Sequence, residues 1–181
     1  LYRLVGSEMC IRDRGKAFIE KIDKVHYQSI MKPHFSSAPG KHIRHILDHY
    51  IALIEGMPKS QVDYNVRTRD SVFEKEPLQA LHKMIEIETW LKNLKEEDLL
   101  REIEVTSEVS LSVSASITCK STLTRELLFV ASHAIHHFSL ISAMNSLSGE
   151  TNEGEFGIAP ATLSYLREQV TLSLIHISEP T

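Results

Sequence analysis

The chain has 181 residues, with 20 Lys and Arg against 24 Asp and Glu and a formal charge of −4. Mild acidity excludes a dedicated nucleic-acid binder, which carries a basic face. No apolar run approaches a membrane span in the sequence, and two cysteines give no disulfide framework.

The two ends read as one DNA segment translated in opposite directions. Leu172–Thr181 (LSLIHISEPT) can be encoded by a string whose reverse complement, in a shifted frame, gives VGSEMCIRD. That is Val5–Asp13, and the leftover bases begin the codon of Arg14. A transposon-type sequencing adapter carried into the reading frame explains both. Residues 1–14 and 172–181 are therefore read as artefactual flanks, and residues 15–171 as one natural domain of a size to bury a core. Within it Cys119 is alone, which suits a reducing cytoplasm.

Apolar residues at helical spacing predict a first helix from Gly15 to about Met31, with Phe18, Ile22, Val25 and Ile30 facing inward. Pro33 ends it, since proline disfavours helical geometry in the residue before it. Ser36-Ser37-Ala38-Pro39 is a helix start, a serine to cap and proline in the first turn. The second helix runs to about Glu55 and stops at Gly56-Met57-Pro58. Residues 59–75 are polar and aperiodic and read as a long loop with room for a turn of helix. A third amphipathic helix spans Pro77 to about Leu94, with Leu81, Met84, Ile85, Ile87, Leu91 and Leu94 on its stripe. Residues 101–118 change to a two-residue period, with Ile103, Val105 and Val109, then Leu111, Val113 and Ile117, and predict a β-hairpin. Ser121 or Thr122 caps a long fourth helix to about Leu147, and Pro160 opens a short last helix to about Gln169. The sum is an all-α fold, a four-helix bundle with a small β-hairpin insertion before the fourth helix.

Six of the ten histidines lie in two of these helices: His42, His45 and His49 in KHIRHILDHY, and His133, His136 and His137 in SHAIHHFSLI. On a wheel of about 100° per residue, His133 and His137 fall inside the apolar arc, in the sector of Glu126 and Met144. His136 falls at its edge, a supporting or surface group. His42, His45 and His49 all sit where they can face the interior, and spacing does not choose among them. Buried imidazoles need partners, and the choice is between hydrogen-bonded core histidines and a metal, for which neutral imidazole is the commonest protein ligand. A di-iron bundle is excluded, because it requires Glu-x-x-His motifs and the chain has none.

These two motifs, in this order and at this spacing, resemble those of the DinB-like superfamily of bacterial four-helix-bundle metal proteins, YfiT-type proteins among them. HIRHILDHY matches the family's His-Leu-x-Asp type motif and SHAIHHFSLI its His-x-x-His-His signature. The resemblance covers the whole of residues 15–171. It implies an up-down-down-up bundle, a divalent metal such as zinc or nickel, and a homodimer in many members. Carried over by position, the metal ligands are His45, His133 and His137. His42 and His49 are a departure from the pattern, either of them a substitute for His45 or a supplement to it. Some relatives are thiol S-transferases using bacillithiol, mycothiol or glutathione, which implies a small-molecule substrate and a low-molecular-weight thiol, with no nucleic acid and no membrane.

Three histidines leave a coordination position open, the arrangement of a catalytic site. The leading expectation is a metal-dependent transferase or hydrolase acting on a small molecule. Its rival is a non-catalytic metal-binding stress-response module, and a haem or metal carrier comes third. Glu126 reads either as a group that orients a ligand histidine or as a helix-start carboxylate at the positive dipole end. Arg67 and Arg69, in DYNVRTRD, read either as a hold for an anionic substrate or as a salt-bridge knot tying the loop down. Cys119, after an apparent strand, reads as packing, with a reactive thiol as the alternative. FGIAP (Phe156–Pro160) reads as a loop-to-helix cap.

Overall fold

The structure, a computed structural model, describes residues 13–152 and 154–177, with side chains to residue 169. Helix α1 covers residues 13–21 and α2 covers Lys24–Gln28. The single first helix of the sequence reading is thus two. Asp23 breaks it, accepting hydrogen bonds from the backbone N–H groups of Val25 and His26 as the N-cap of α2. The new helix axis turns Val25 and Ile30 out to solvent and buries Tyr27 instead, whose hydroxyl donates to the Phe73 carbonyl at 2.6 Å.

Helix α3 (Pro39–Gly56) is the central element, packed against α2, α4, α5, α7 and β1. Its inner face is Ile43, Ile46, Leu47, Tyr50 and Leu53, the 3.6-residue stripe of a core helix. Proline opens it as expected, but the cap residue is Ala38 and makes no side-chain cap bond. Ser37 is engaged elsewhere, with His42. A short 3₁₀ turn, Met57–Lys59, leads into β1 (Gln61–Asp63), and α4 (Val72–Lys75) follows. Residues 59–75 thus hold the turn of helix that the sequence reading allowed, and a short strand that it did not foresee. Val62 and Tyr64 alternate inward between exposed neighbours, a period-two signal too short to outweigh its polar context.

Helix α5 (Pro77–Asn93) buries Ala80, Met84, Ile87 and Leu91, and turns Ile85 outward. The four-residue α6 (Glu96–Leu99), unforeseen in the sequence, leads into β2 (Glu102–Glu108). Strand β3 (Ser116–Thr122) pairs antiparallel with β2, and β1 pairs parallel with it, giving a sheet of order β1-β2-β3. The expected hairpin is thus part of a three-stranded mixed sheet, and the molecule is mostly helical rather than all-α. Its second strand begins later than expected, because residues 109–115 form the connection. Val109, Leu111 and Val113 are exposed there, while Ile103 and Val105 are the residues the sheet buries.

Thr122 caps α7 (Leu123–Leu147), accepting from the Arg125 backbone N–H at 3.3 Å. This 25-residue helix is long and apolar enough to cross a membrane by length and composition, contrary to the expectation from the sequence. Its apolar stripe, with Leu123, Leu127, Val130, Ala134, Phe138 and Ile141, is instead buried in the core. Phe156, in the loop that follows, stacks on Phe18 at 4.9 Å. Helix α8 (Pro160–Ile177) continues past Gln169, where the sequence reading ended it.

Gly40, in the first turn of α3, marks the tightest crossing. A Cβ there would lie 2.6 Å from the Tyr27 ring and would strike the Glu74 carbonyl. Gly40→Ala is expected to destabilise the protein by about 1–3 kcal/mol, the cost of overpacking, measured by urea unfolding. An unchanged midpoint would show that α2 and α4 are free to move away from α3.

Candidate metal centre

The facing sides of α3 and α7 bring five imidazoles together. The His45 ring lies 4.7 Å from that of His49, 5.0 Å from His133 and 4.8 Å from His137. His49 and His133 are 4.2 Å apart, and His133 and His137 4.6 Å. His45, His49 and His133 each offer a nitrogen, and these lie within 4.8 Å of one another. The Nε2 atoms of His133 and His137 face each other at 3.1 Å. His45, His133 and His137, which the sequence analysis singled out, thus come together, and His49 joins them. His42 meets the cluster through His137, Nδ1 to Nδ1 at 2.8 Å, while its Nε2 contacts the Ser37 hydroxyl at 2.8 Å. His136 is exposed, its ring 5.2 Å from His137.

Burial is the first cause of the electrostatics here. It pulls His45 down to about 3, His133 to about 4 and His137 to about 2, with repulsion between neighbouring rings adding to it. Burial lowers His42 and His49 as well. The rings are therefore neutral at pH 7, the form in which imidazole offers a lone pair. His49 Nδ1 lies 2.9 Å from the His45 carbonyl, which can only accept, so Nδ1 carries the proton and Nε2 the lone pair.

A divalent ion fits this donor set. If His137 donates through Nδ1 to His42, and His42 through Nε2 to Ser37, His137 Nε2 carries a lone pair, which accepts from the His133 Nε2–H or, with His133 in its other tautomer, faces a second lone pair. Two nitrogens bound at roughly 2.0–2.1 Å to one tetrahedral ion stand about 3.3 Å apart, close to the separation observed. A divalent ion would take both lone pairs in the second arrangement.

Two buried carboxylates support the rings. Glu126, only 1% exposed, accepts from Tyr64 at 2.8 Å, Ser121 at 2.6 Å and Arg125 at 2.9 Å. It touches no histidine directly. Tyr64 lies between, its ring stacked on His49 at 5.2 Å, so Glu126 acts through Tyr64, beyond its place in the first turn of α7. Asp48 is held by Arg44, which also donates to Glu74 at 2.8 Å. Burial still raises the Asp48 carboxyl above its ordinary value.

Tyr64 was missed in the sequence because it lies in a polar, aperiodic stretch. The expected salt-bridge knot at Arg67 and Arg69 does not form, since neither guanidinium has a carboxylate partner among the described residues; Tyr64 and Asn65 hold the segment instead. Cys119 is also not packing: it lies exposed on β3, whose outer edge is unpaired.

No family model matches the chain. Over 117 residues, 62% of the chain, it is 27% identical to FK506-binding protein 5 of Rhizopus delemar, and the match spans 30% of that protein's length. Its fold is similar to the crystal structure of a DinB-like protein from Bacillus subtilis, with a TM-score of 0.55 and 22% identity. That likeness covers 82% of this chain and 94% of the other, and identifies the fold as DinB-like.

Removing the Tyr64 hydroxyl takes one of three donors from a buried carboxylate. Tyr64→Phe is expected to cost about 1–3 kcal/mol, read from chemical unfolding; a neutral result would mean that water replaces the hydroxyl. The depressed histidines fix the pH response of the metal-free protein. In the unfolded chain they take up protons near 6.5, whereas in the folded chain they stay neutral down to about 4 and below. The unfolded state thus binds more protons throughout that window, and stability falls as pH drops from about 6.5 toward 4. Thermal unfolding with chelator between pH 8 and 5 checks this, and a melting temperature flat from 7 to 5 would contradict it.

Proposed function

We propose that the chain is a metal-dependent enzyme acting on a small molecule, a thiol S-transferase or hydrolase. Its divalent ion, zinc or nickel, is held by His45, His133 and His137, with His49 supplementing them. The observation that supports this reading is the meeting of neutral rings from α3 and α7, the nitrogens of His45, His49 and His133 within 4.8 Å of one another and His137 Nε2 3.1 Å from His133 Nε2. The arrangement is taken to be an up-down-down-up bundle, and the compartment a reducing cytoplasm in which exposed Cys119 stays a thiol. An ion bound here supplies a Lewis acid that makes a water or thiol nucleophilic near neutral pH.

The chain's own residues prepare that site. The His45 carbonyl fixes the tautomer of His49, and the Ser37–His42 pair orients His137. Desolvation keeps all the rings unprotonated. Phe129, 5.9 Å from His133, and Tyr64 shield one side from water. His45, His133 and His137 remain only half-buried, which leaves a side open to a small molecule and favours an enzyme over a purely structural ion site.

Elemental analysis of protein made without a histidine tag tests the site. One ion per chain is expected, lost in His45→Ala and His133→Ala. His42→Ala, which removes only an orienting partner, is expected to weaken binding about 10–100-fold. Assay of the loaded protein with an electrophile and each low-molecular-weight thiol then tests the activity. Full occupancy without turnover would move the reading to a metal-binding module, and a wild type that holds no ion would end it.

A further inference from the structure

A cleft of about 500 Å³ opens where α1, α2 and the C-terminal turns of α7 meet the loop before α8. None of the cluster histidines lines it. Asn145, on its wall, stands about 12 Å along the α7 axis from His137, at 1.5 Å per residue. The volume falls in the ordinary range for small-molecule sites, roughly 300–1,000 Å³. The apolar part of the lining is Ala17, Phe18, Ile22 and Phe156. Phe18 and Phe156 are stacked at 4.9 Å, so one wall is aromatic.

The polar part is a chain of hydrogen bonds whose direction is fixed from one end. The Ser142 carbonyl can only accept, so the Asn152 atom 2.9 Å from it is the amide nitrogen. Asn152 Oδ1 therefore faces Asn145 Nδ2, at 3.1 Å. That turns Asn145 Oδ1 toward His26 Nε2, also at 3.1 Å, so Nε2 carries the proton. The neutral ring keeps one acceptor, Nδ1, which meets no donor among the described residues. Asn145 is only 7% exposed, and an amide held on both sides keeps the His26 ring in place.

The charged groups of the described lining balance, Arg14 and Lys21 against Asp23 and Glu150. Arg14 is paired with Glu155 at 2.6 Å, Lys21 is engaged as well, and Asp23 caps α2. Without Arg14, which belongs to the flank, one cation faces two anions, so an anionic ligand gains nothing. Glu150 has no ion pair among the described residues, but it is exposed, where a pair with a cation is worth little. We infer that this cleft binds a neutral aromatic molecule carrying one N–H or O–H group, which donates to His26 Nδ1. The Phe18–Phe156 wall takes the aromatic body, since rings pack favourably on rings. The site is separate from the histidine cluster and needs no ion there.

The probes are indole, 1-methylindole, which lacks the donor, indole-3-acetate, which adds a negative charge, and tryptamine, which adds a positive one. Binding is read at pH 8 from the amide resonances of the full nitrogen-15-labelled chain. Indole is expected to shift the backbone amides of Phe18, Ile22 and Asn145. It should bind about three- to tenfold more tightly than 1-methylindole, the worth of one hydrogen bond, and at least as tightly as either charged probe. His26→Phe should bring indole and 1-methylindole to equal affinity while still binding both. Ala17→Trp, which fills the cleft, should abolish binding of both, with a urea midpoint near that of wild type showing the fold intact. Thr151→Trp, on the exposed rim, blocks the same space if Ala17→Trp unfolds the chain. Unmoved resonances at those three amides, equal affinities in wild type, a preference that persists in His26→Phe, or tighter binding of a charged probe would each overturn the assignment.

Discussion

Desolvation of imidazole between α3 and α7 is the constraint on which the rest depends. The two helices meet along apolar stripes, and on that seam five positions are histidine. Burial without protonation leaves each ring with one N–H and one lone pair to satisfy. Some are satisfied internally: His49 by the His45 carbonyl, His42 by Ser37. The remainder point at one another, with His133 and His137 only 3.1 Å apart. A seam of leucines would bury the same helices more cheaply. The ring nitrogens gathered at one point give the packing a chemical direction.

Around that seam the structure uses buried charge to hold backbone. Arg44 joins Asp48 on α3 to Glu74 on α4, and α4 in turn takes bonds from Tyr27 and Gln28 on α2. On the other side Glu126 joins α7 to Tyr64 and to Ser121 on β3. Breaking either set would leave a buried carboxylate without its partners, a strongly destabilising state. Arg44 and Asp48 lie beside His45 and His49 on α3, and Glu126 reaches His49 through the Tyr64 ring, so the ring positions are tied to both polar networks.

The long periodic elements were legible in the sequence. Helices α3, α5 and α7 begin and end within a residue or so of their proline, glycine and threonine signals, because a 3.6-residue stripe over four or more turns is a strong pattern. The histidines could be placed on the inner faces for the same reason. Short elements were not legible. A break needing only one aspartate, at Asp23, hides inside a stripe that continues across it. The serine-rich alternation of residues 109–115 imitates a strand, and only the register that pairs Val105 with Cys119 shows that β3 starts later. Tyr64 was invisible for a different reason: its role comes from contacts with Glu126 and His49, both distant in sequence, and local pattern carries no such information.

The donor set itself constrains what can share the site. Every ring in the cluster is neutral, and no carboxylate belongs to it. The nearest ones, Asp48 and Glu126, are saturated by arginines and hydroxyls. A divalent ion held by imidazole alone keeps its full charge, in surroundings drier than water where that charge acts over a longer reach. Carboxylate ligands would have neutralised it from within the protein. With no such ligand in the cluster, the neutralising charge of a bound ion would have to come from whatever enters, and a neutral-ligand cluster of this kind would favour an anion at its open position before the shape of any particular molecule is considered.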